Sequence, residues 1–181
     1  MTPATPTTTW NIDPAHSAAE FKVKHMMICN VKGSFSGLSG VLSLDEGDVT
    51  KSRVEASIPV STLTTADDQR DGHLKSADFF DAEKFPTLTF KSTKVEKAAG
   101  GDLAITGDLT LHGITKAVTF AVEGPSAPAK DPWGNLRVGL AATTRINRKD
   151  FGLNWNTALE TGGVLVGDEV TITLDVQFIK A

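Results

Sequence analysis

The 181 residues include one cysteine, Cys29. A lone thiol excludes an intramolecular disulfide and any site built from several cysteines. Cys29 follows Met26-Met27-Ile28, an apolar setting that predicts a buried, inert thiol. No apolar run approaches the roughly 20 residues that a membrane-spanning helix needs, so no membrane span is expected. Lysine and arginine are scattered, and the formal net charge of −4 supplies no electrostatic reason to expect nucleic acid or an anionic membrane surface as partner. The start, M-T-P-A-T-P-T-T-T, has neither the basic residues nor the apolar core of a secretory signal. That predicts a cytoplasmic protein, periplasmic only if the chain is a trimmed mature form.

Sites of reaction chemistry are missing as well. His16, His25, His73 and His112 lie far apart and show no H-x-H or H-E-x-x-H spacing, so no metal site is expected. There is no G-x-S-x-G elbow for a nucleophilic serine. Gly162-Gly163-Val164-Leu165-Val166-Gly167 is followed by neither a lysine nor a helix pattern, which excludes a phosphate loop. Asp67, Asp68, Asp71, Asp78 and Asp81 surround one short helix, where capping and solvation explain them better than paired catalytic carboxylates do. Arg70 and Asp71 read as an ion pair pinning that helix. No catalytic residue and no cofactor is expected.

What is present is alternation. Ala19, Phe21 and Val23 share one face against Glu20, Lys22 and Lys24. Val54, Ala56 and Ile58 oppose Arg53, Glu55 and Ser57, and Val170 to Phe178 is apolar at every even position. Leu103, Ile105, Leu109 and Leu111, a turn at His112-Gly113, and then Val118, Phe120 and Val122 predict a hairpin. Between Gly33 and Leu44 the apolar parity switches, which predicts one strand with a bulge near Gly37. Residues 1–8 read as a disordered lead-in and 9–181 as a single domain. Met26 to Cys29 fits a turn of helix. About eight strands, each apolar on one face, predict an all-β antiparallel fold, and the pattern fits a barrel and a two-sheet sandwich alike.

The densest stretch runs from Arg70 to Ser92. A short helix is expected around 67–76, with Thr65 as its N-cap. Phe79 and Phe80 follow in a segment without period, and Pro86 opens a strand with Leu88 and Phe90 on one face. Helix, aromatic pair and strand together suggest a plug or lid across the end of a sheet structure. The aromatic and methionine load assigned to inner faces, which includes Phe151 and Trp133, admits two readings: an ordinary packed core, or an apolar tunnel.

Six segments resemble the YceI-like family of lipocalin-like, polyisoprenoid-binding barrel proteins. They are W-N-I-D-P-A-H-S-A-A-E-F-K-V-K-H (10–25), G-S-F-S-G-L-S-G (33–40), R-D-G-H-L-K-S-A-D-F-F-D-A-E-K-F-P-T-L-T-F (70–90), G-D-L-T-L-H-G-I-T-K-A-V-T-F (107–120), R-K-D-F-G-L (148–153) and V-G-D-E-V-T-I-T-L-D-V (166–176). The resemblance implies an extended eight-stranded antiparallel barrel with a helical insertion, enclosing a tunnel for a long isoprenoid or similar apolar lipid, in a protein that forms a homodimer. Strand parity then selects the residues expected to meet such a ligand: Phe21, Val23, Phe35, Phe90, Leu109, Leu111, Phe120, Leu140 and Trp155 along the tunnel, Phe79 and Phe80 near a mouth. His25, beside Met26 and Met27 at a strand end, is the head-group candidate. The leading expectation is a non-enzymatic carrier of a prenyl pyrophosphate or prenylquinone. Its rivals are an enzyme using His25 or His112 as acid/base, and a ligand-free packed barrel acting through its surface.

Overall fold

The computed structural model describes residues 6–181. Eleven strands form one antiparallel sheet: β1 (Thr7–Ile12), β2 (Ala18–His25), β3 (Cys29–Phe35), β4 (Ser39–Asp45), β5 (Arg53–Pro59), β6 (Thr87–Lys97), β7 (Leu103–Leu111), β8 (Ile114–Glu123), β9 (Ala129–Lys130), β10 (Leu136–Asn147) and β11 (Val166–Lys180). One helix, α1 (Asp68–Lys75), lies between β5 and β6. The hydrogen-bonded order is β3-β2-β11-β1-β4-β5-β6-β7-β8-β10-β9, and an additional pairing of β10 with β11 closes the ring.

The fifteen-residue β11 is long enough to hold two partners on one side. Its C-terminal part pairs β1, from Trp10↔Lys180 to Ile12↔Phe178, and its middle pairs β2, from Val170↔Val23 to Asp175↔Ala18. β1 and β2 therefore act as one barrel strand, interrupted at Asp13-Pro14, where proline cannot donate to the ladder. Opposite them, β3 pairs β2 and β4 pairs β1. Counting these two composite strands with β5, β6, β7, β8, β10 and β11 gives a closed eight-stranded barrel.

Several expectations change at this level. The parity switch after Phe35 is no bulge within one strand: the chain leaves β3, turns through Gly37 at φ +70° and enters β4 on new partners. The ladder slips instead between Ser92 and Lys94 of β6, which moves the inward position from Phe90 and Ser92 to Val95. The proposed lead-in is shortened, because Thr7 and Thr8 pair with Asp45 and Leu44 in β1, while residues 1–5 lie outside the described region. Met26 and Met27 form no helical turn; with φ of 52° and 60° they are the central residues of the His25–Ile28 turn within the three-residue loop that joins β2 to β3. Cys29 is consequently exposed, at the strand end that follows the hairpin turn.

One end of the barrel is packed shut by Trp10, Ile12, Leu38, Leu42, Val138 and Phe178. A polar clasp tightens the same end. Arg137 of β10 donates from Nη1 to Asp13 at 2.6 Å and from Nε to Asp131 at 2.8 Å, joining the β1–β2 break to the β9–β10 loop. Trp133, expected on an inner face, sits in that loop at 79% exposure, because the loop carries it outside the sheet.

Burial alone would raise the pKa of Asp131, but donors from Arg137, Asn135 and the Trp133 amide outweigh it and hold the carboxyl down to about 2. A carboxylate depressed on folding stabilises the protein above its unfolded pKa of about 3.9 and loses that contribution as pH falls through the folded value. The wild type is expected to lose stability between about pH 4 and 2, and Asp131→Asn to be weaker at neutral pH with a flatter profile across that window. Urea midpoints measured at stepped pH check this.

Candidate functional site

Because each barrel strand alternates, one set of side chains points inward from every strand. They do not fill the interior. A cavity of about 580 Å3 remains, walled by Val54, Ala56 and Ile58 of β5, Leu88 and Phe90 of β6, Ile105 and Leu109 of β7, Leu140 and Ala142 of β10, and the even positions of β11 from Val170 to Phe178. Those eight residue steps of β11 correspond to roughly 27 Å along the strand. Two glycines make room for rings on the wall. A Cβ on Gly33 would lie 2.3 Å from the ring of its cross-strand partner Phe21, and one on Gly107 would lie 2.5 Å from Phe90. The aromatic side chains thus lie over bare backbone, a fit that larger residues would block.

Of the expected ligand-contacting residues, Phe21, Val23, His25, Phe35, Phe79, Phe80, Phe90, Leu109, Leu111, Phe120, Leu140 and Trp155 all border the cavity. Met26 and Met27 do not, since the turn projects them past the end of the barrel. Phe151 is fully buried in the core but stands outside the cavity wall. His112 lies away from it too. Its Nδ1 donates to the Phe151 carbonyl at 3.0 Å and its ring packs edge-on against Phe85, a structural role at the β7–β8 turn.

Beyond β2, the edge of β3 is bridged only at Ser34↔Thr64 among the described residues, by the segment that leads into α1. Asp67, not Thr65, caps α1 by accepting from the Arg70 amide at 3.0 Å. Thr65 instead ties the helix down: its amide and hydroxyl both donate to buried Asp71, and Arg70 donates from Nε to its hydroxyl and from Nη2 to its carbonyl. Arg70 and Asp71 therefore grip the same residue and do not pair with each other. The Thr65 hydroxyl, more than any charge, holds the Asp71 pKa below its usual range.

The inner side of α1 presents Arg70, His73 and Leu74 to the cavity, a face that i, i+3, i+4 spacing makes legible in the sequence. His73 stands edge-on to Phe79 and Trp155, at centroid distances of 5.1 and 4.7 Å, with Nε2 2.9 Å from Asp78. Phe80 meets Phe35 edge-on at 5.8 Å. Phe79 and Phe80 thus divide between two neighbours, and together they seat the helix over the barrel.

Arg148 has no counterpart in the alternation. It is 3% exposed and borders the cavity, yet among the described residues no carboxylate lies within ion-pair distance. Its guanidinium donates to four main-chain carbonyls: Gly167 from Nε, Leu153 and Trp155 from Nη1, and Val166 from Nη2. Burial pulls its pKa down, and Asp168 offsets part of that. Only an arginine fork reaches carbonyls in so many directions, so this residue fixes the segment that positions Trp155. Arg148→Met is expected to cost about 2–4 kcal/mol, because orphaned buried carbonyls are expensive, and Arg148→Lys to recover little of it. Urea unfolding of both variants checks this.

Comparisons with known proteins agree with this architecture. The profile of the YceI-like domain matches residues 10–178. The UPF0312 protein SAB2563 of Staphylococcus aureus is 38% identical over 171 residues, covering 94% of this chain and 97% of the relative. The crystal structure of Burkholderia cenocepacia BcnA superposes with a TM-score of 0.77 at 24% identity, over 92% of this chain and 98% of that one. A polyisoprenoid binding domain from Saccharophagus degradans, implicated in plant cell wall breakdown, shares the fold with a TM-score of 0.69 at 16% identity, over 96% and 99%.

Proposed function

The chain belongs to the YceI-like domain family, and from that premise we propose that it binds one long apolar chain, an isoprenoid or similar lipid, inside the barrel as a carrier or store. The observation that carries this reading is an interior left open. Nine aromatic and aliphatic wall positions chosen by parity, with Phe79 and Phe80, surround a cavity of about 580 Å3, within the range of small-molecule sites, where a packed barrel would have filled it. The fold shared with a domain described as polyisoprenoid binding supports the ligand class. Burial at roughly 0.8 kcal/mol per methylene lets a few isoprene-sized units support micromolar binding after association costs. A prenyl pyrophosphate or prenylquinone fits a site whose lining includes the polar side chains Arg70 and His73 of α1, His25 and Arg148. Of the two histidines considered as acid/base, His25 borders the cavity and His112 does not.

Mass spectrometry of an organic extract from natively purified protein is expected to yield a stoichiometric long-chain species. Phe90→Asp, which places a charge on the wall, and Ala56→Trp, which fills the space, are both expected to lose it. A folded Ala56→Trp variant that retains the lipid would show that the chain lies elsewhere.

A further inference from the structure

Among the described residues, seven large apolar side chains are exposed, and four of them meet at one spot. Met26, Met27 and Ile28 form the tip of the β2–β3 hairpin, with Met27 62% and Ile28 77% exposed. Val164 joins them from the glycine-rich loop, where the Met27 sulfur lies against Gly163 and the Met26 amide donates to the Leu165 carbonyl at 2.7 Å. The tip therefore rests on a second loop rather than standing alone. Its sequence is costly twice over. Apolar groups face solvent, and two methionines occupy the positive-φ positions that Asn-Gly fills at less strain.

The flanks supply the second observation. Behind the tip, the outward faces of β2 and β3 carry Lys22, Lys24 and Lys32, all exposed. Lys22 and Lys32 are direct cross-strand partners, a like-charge pairing that opposes the ladder. Among the described residues none of the three has a carboxylate within 4 Å. Of the nearby acids, Asp168 pairs with Lys149 and Glu169 with Arg145, which leaves Glu160 on the adjoining loop and Glu20, two residues from Lys22 on the same outward face of β2. A net charge of −4 points away from anionic partners, but this collar is locally cationic. Lys24 and His25, at the base of the tip, also border the cavity.

We propose that the β2–β3 hairpin tip is a membrane-docking finger, with Met26, Met27 and Ile28 entering the interface of a bilayer and Lys22, Lys24 and Lys32 meeting its anionic head groups. An apolar tip with a cationic collar is the chemistry of interfacial anchoring. Docking there sets the His25 and Lys24 end of the cavity against the bilayer. The inference stands apart from the cargo, because docking needs no occupied cavity.

Co-flotation with vesicles of phosphatidylcholine containing phosphatidylglycerol, at low and high salt, tests it. The wild type is expected to float with these vesicles and to release as salt rises. Lys22→Gln/Lys24→Gln/Lys32→Gln is expected to bind on the order of 100-fold more weakly, at roughly fivefold per lysine. Met27→Ser/Ile28→Ser is expected to stay unbound with an unchanged thermal melt. An environment-sensitive fluorophore on Cys29 is expected to shift to the blue with vesicles and not without them. Wild type that floats with no vesicle, or variants that float equally well, would overturn the proposal. It is overturned equally if the serine variant leaves flotation intact and converts a sedimenting dimer to monomer, which would make the tip a contact between two copies.

Discussion

The ladder between β10 and β11 pairs every residue from Arg137↔Ile179 to Asn147↔Glu169, and it turns a sheet with two edges into a closed surface. Closure imposes an inside. Once β11 is held on one side by β10, its other side must serve β1 and β2 in succession, and the inward faces of eight strands converge on one axis. Eight strands enclose a space that side chains only just fill. Small residues at Ala56 and Ala142, and rings laid flat over Gly33 and Gly107, leave part of it open. The cavity follows from circumference and side-chain size together.

The two ends of that space are treated in opposite ways. At one, Trp10 and Phe178 are fully buried and the Arg137 clasp ties three segments together. At the other, the wall is completed by pieces that are not strands: α1, the Phe79-Phe80 pair and the Trp155 segment. These pieces depend on polar anchors, Thr65 to Asp71 for the helix and Arg148 to four carbonyls for the loop. Irregular backbone near the interior needs such anchors, because it has no ladder to satisfy its own groups. Arg148 is thus a structural cation at the edge of an apolar site. Its charge remains in place without a counterion because main-chain dipoles solvate it.

Buried and exposed apolar groups therefore divide the labour. The wall residues hide theirs from water, and Met26, Met27 and Ile28 present theirs. The parity that placed Val23 on the wall ends at His25, just before the tip, since a hairpin turn belongs to neither face of the sheet.

Sequence alone determined which residues of each strand share a face, the β7–β8 hairpin, the helix near 67–76 and most of the wall from Phe21 to Trp155. Period-two alternation and capping are local, so they are written in neighbouring residues. Alternation left barrel and sandwich open, and the family resemblance implied the barrel; the break at Gly37 before β4, the exposure of Cys29 and the duty of Arg148 were decided by tertiary structure. Each depends on which distant strand supplies the next hydrogen bond or the covering side chain, and alternation is the same whatever that partner is.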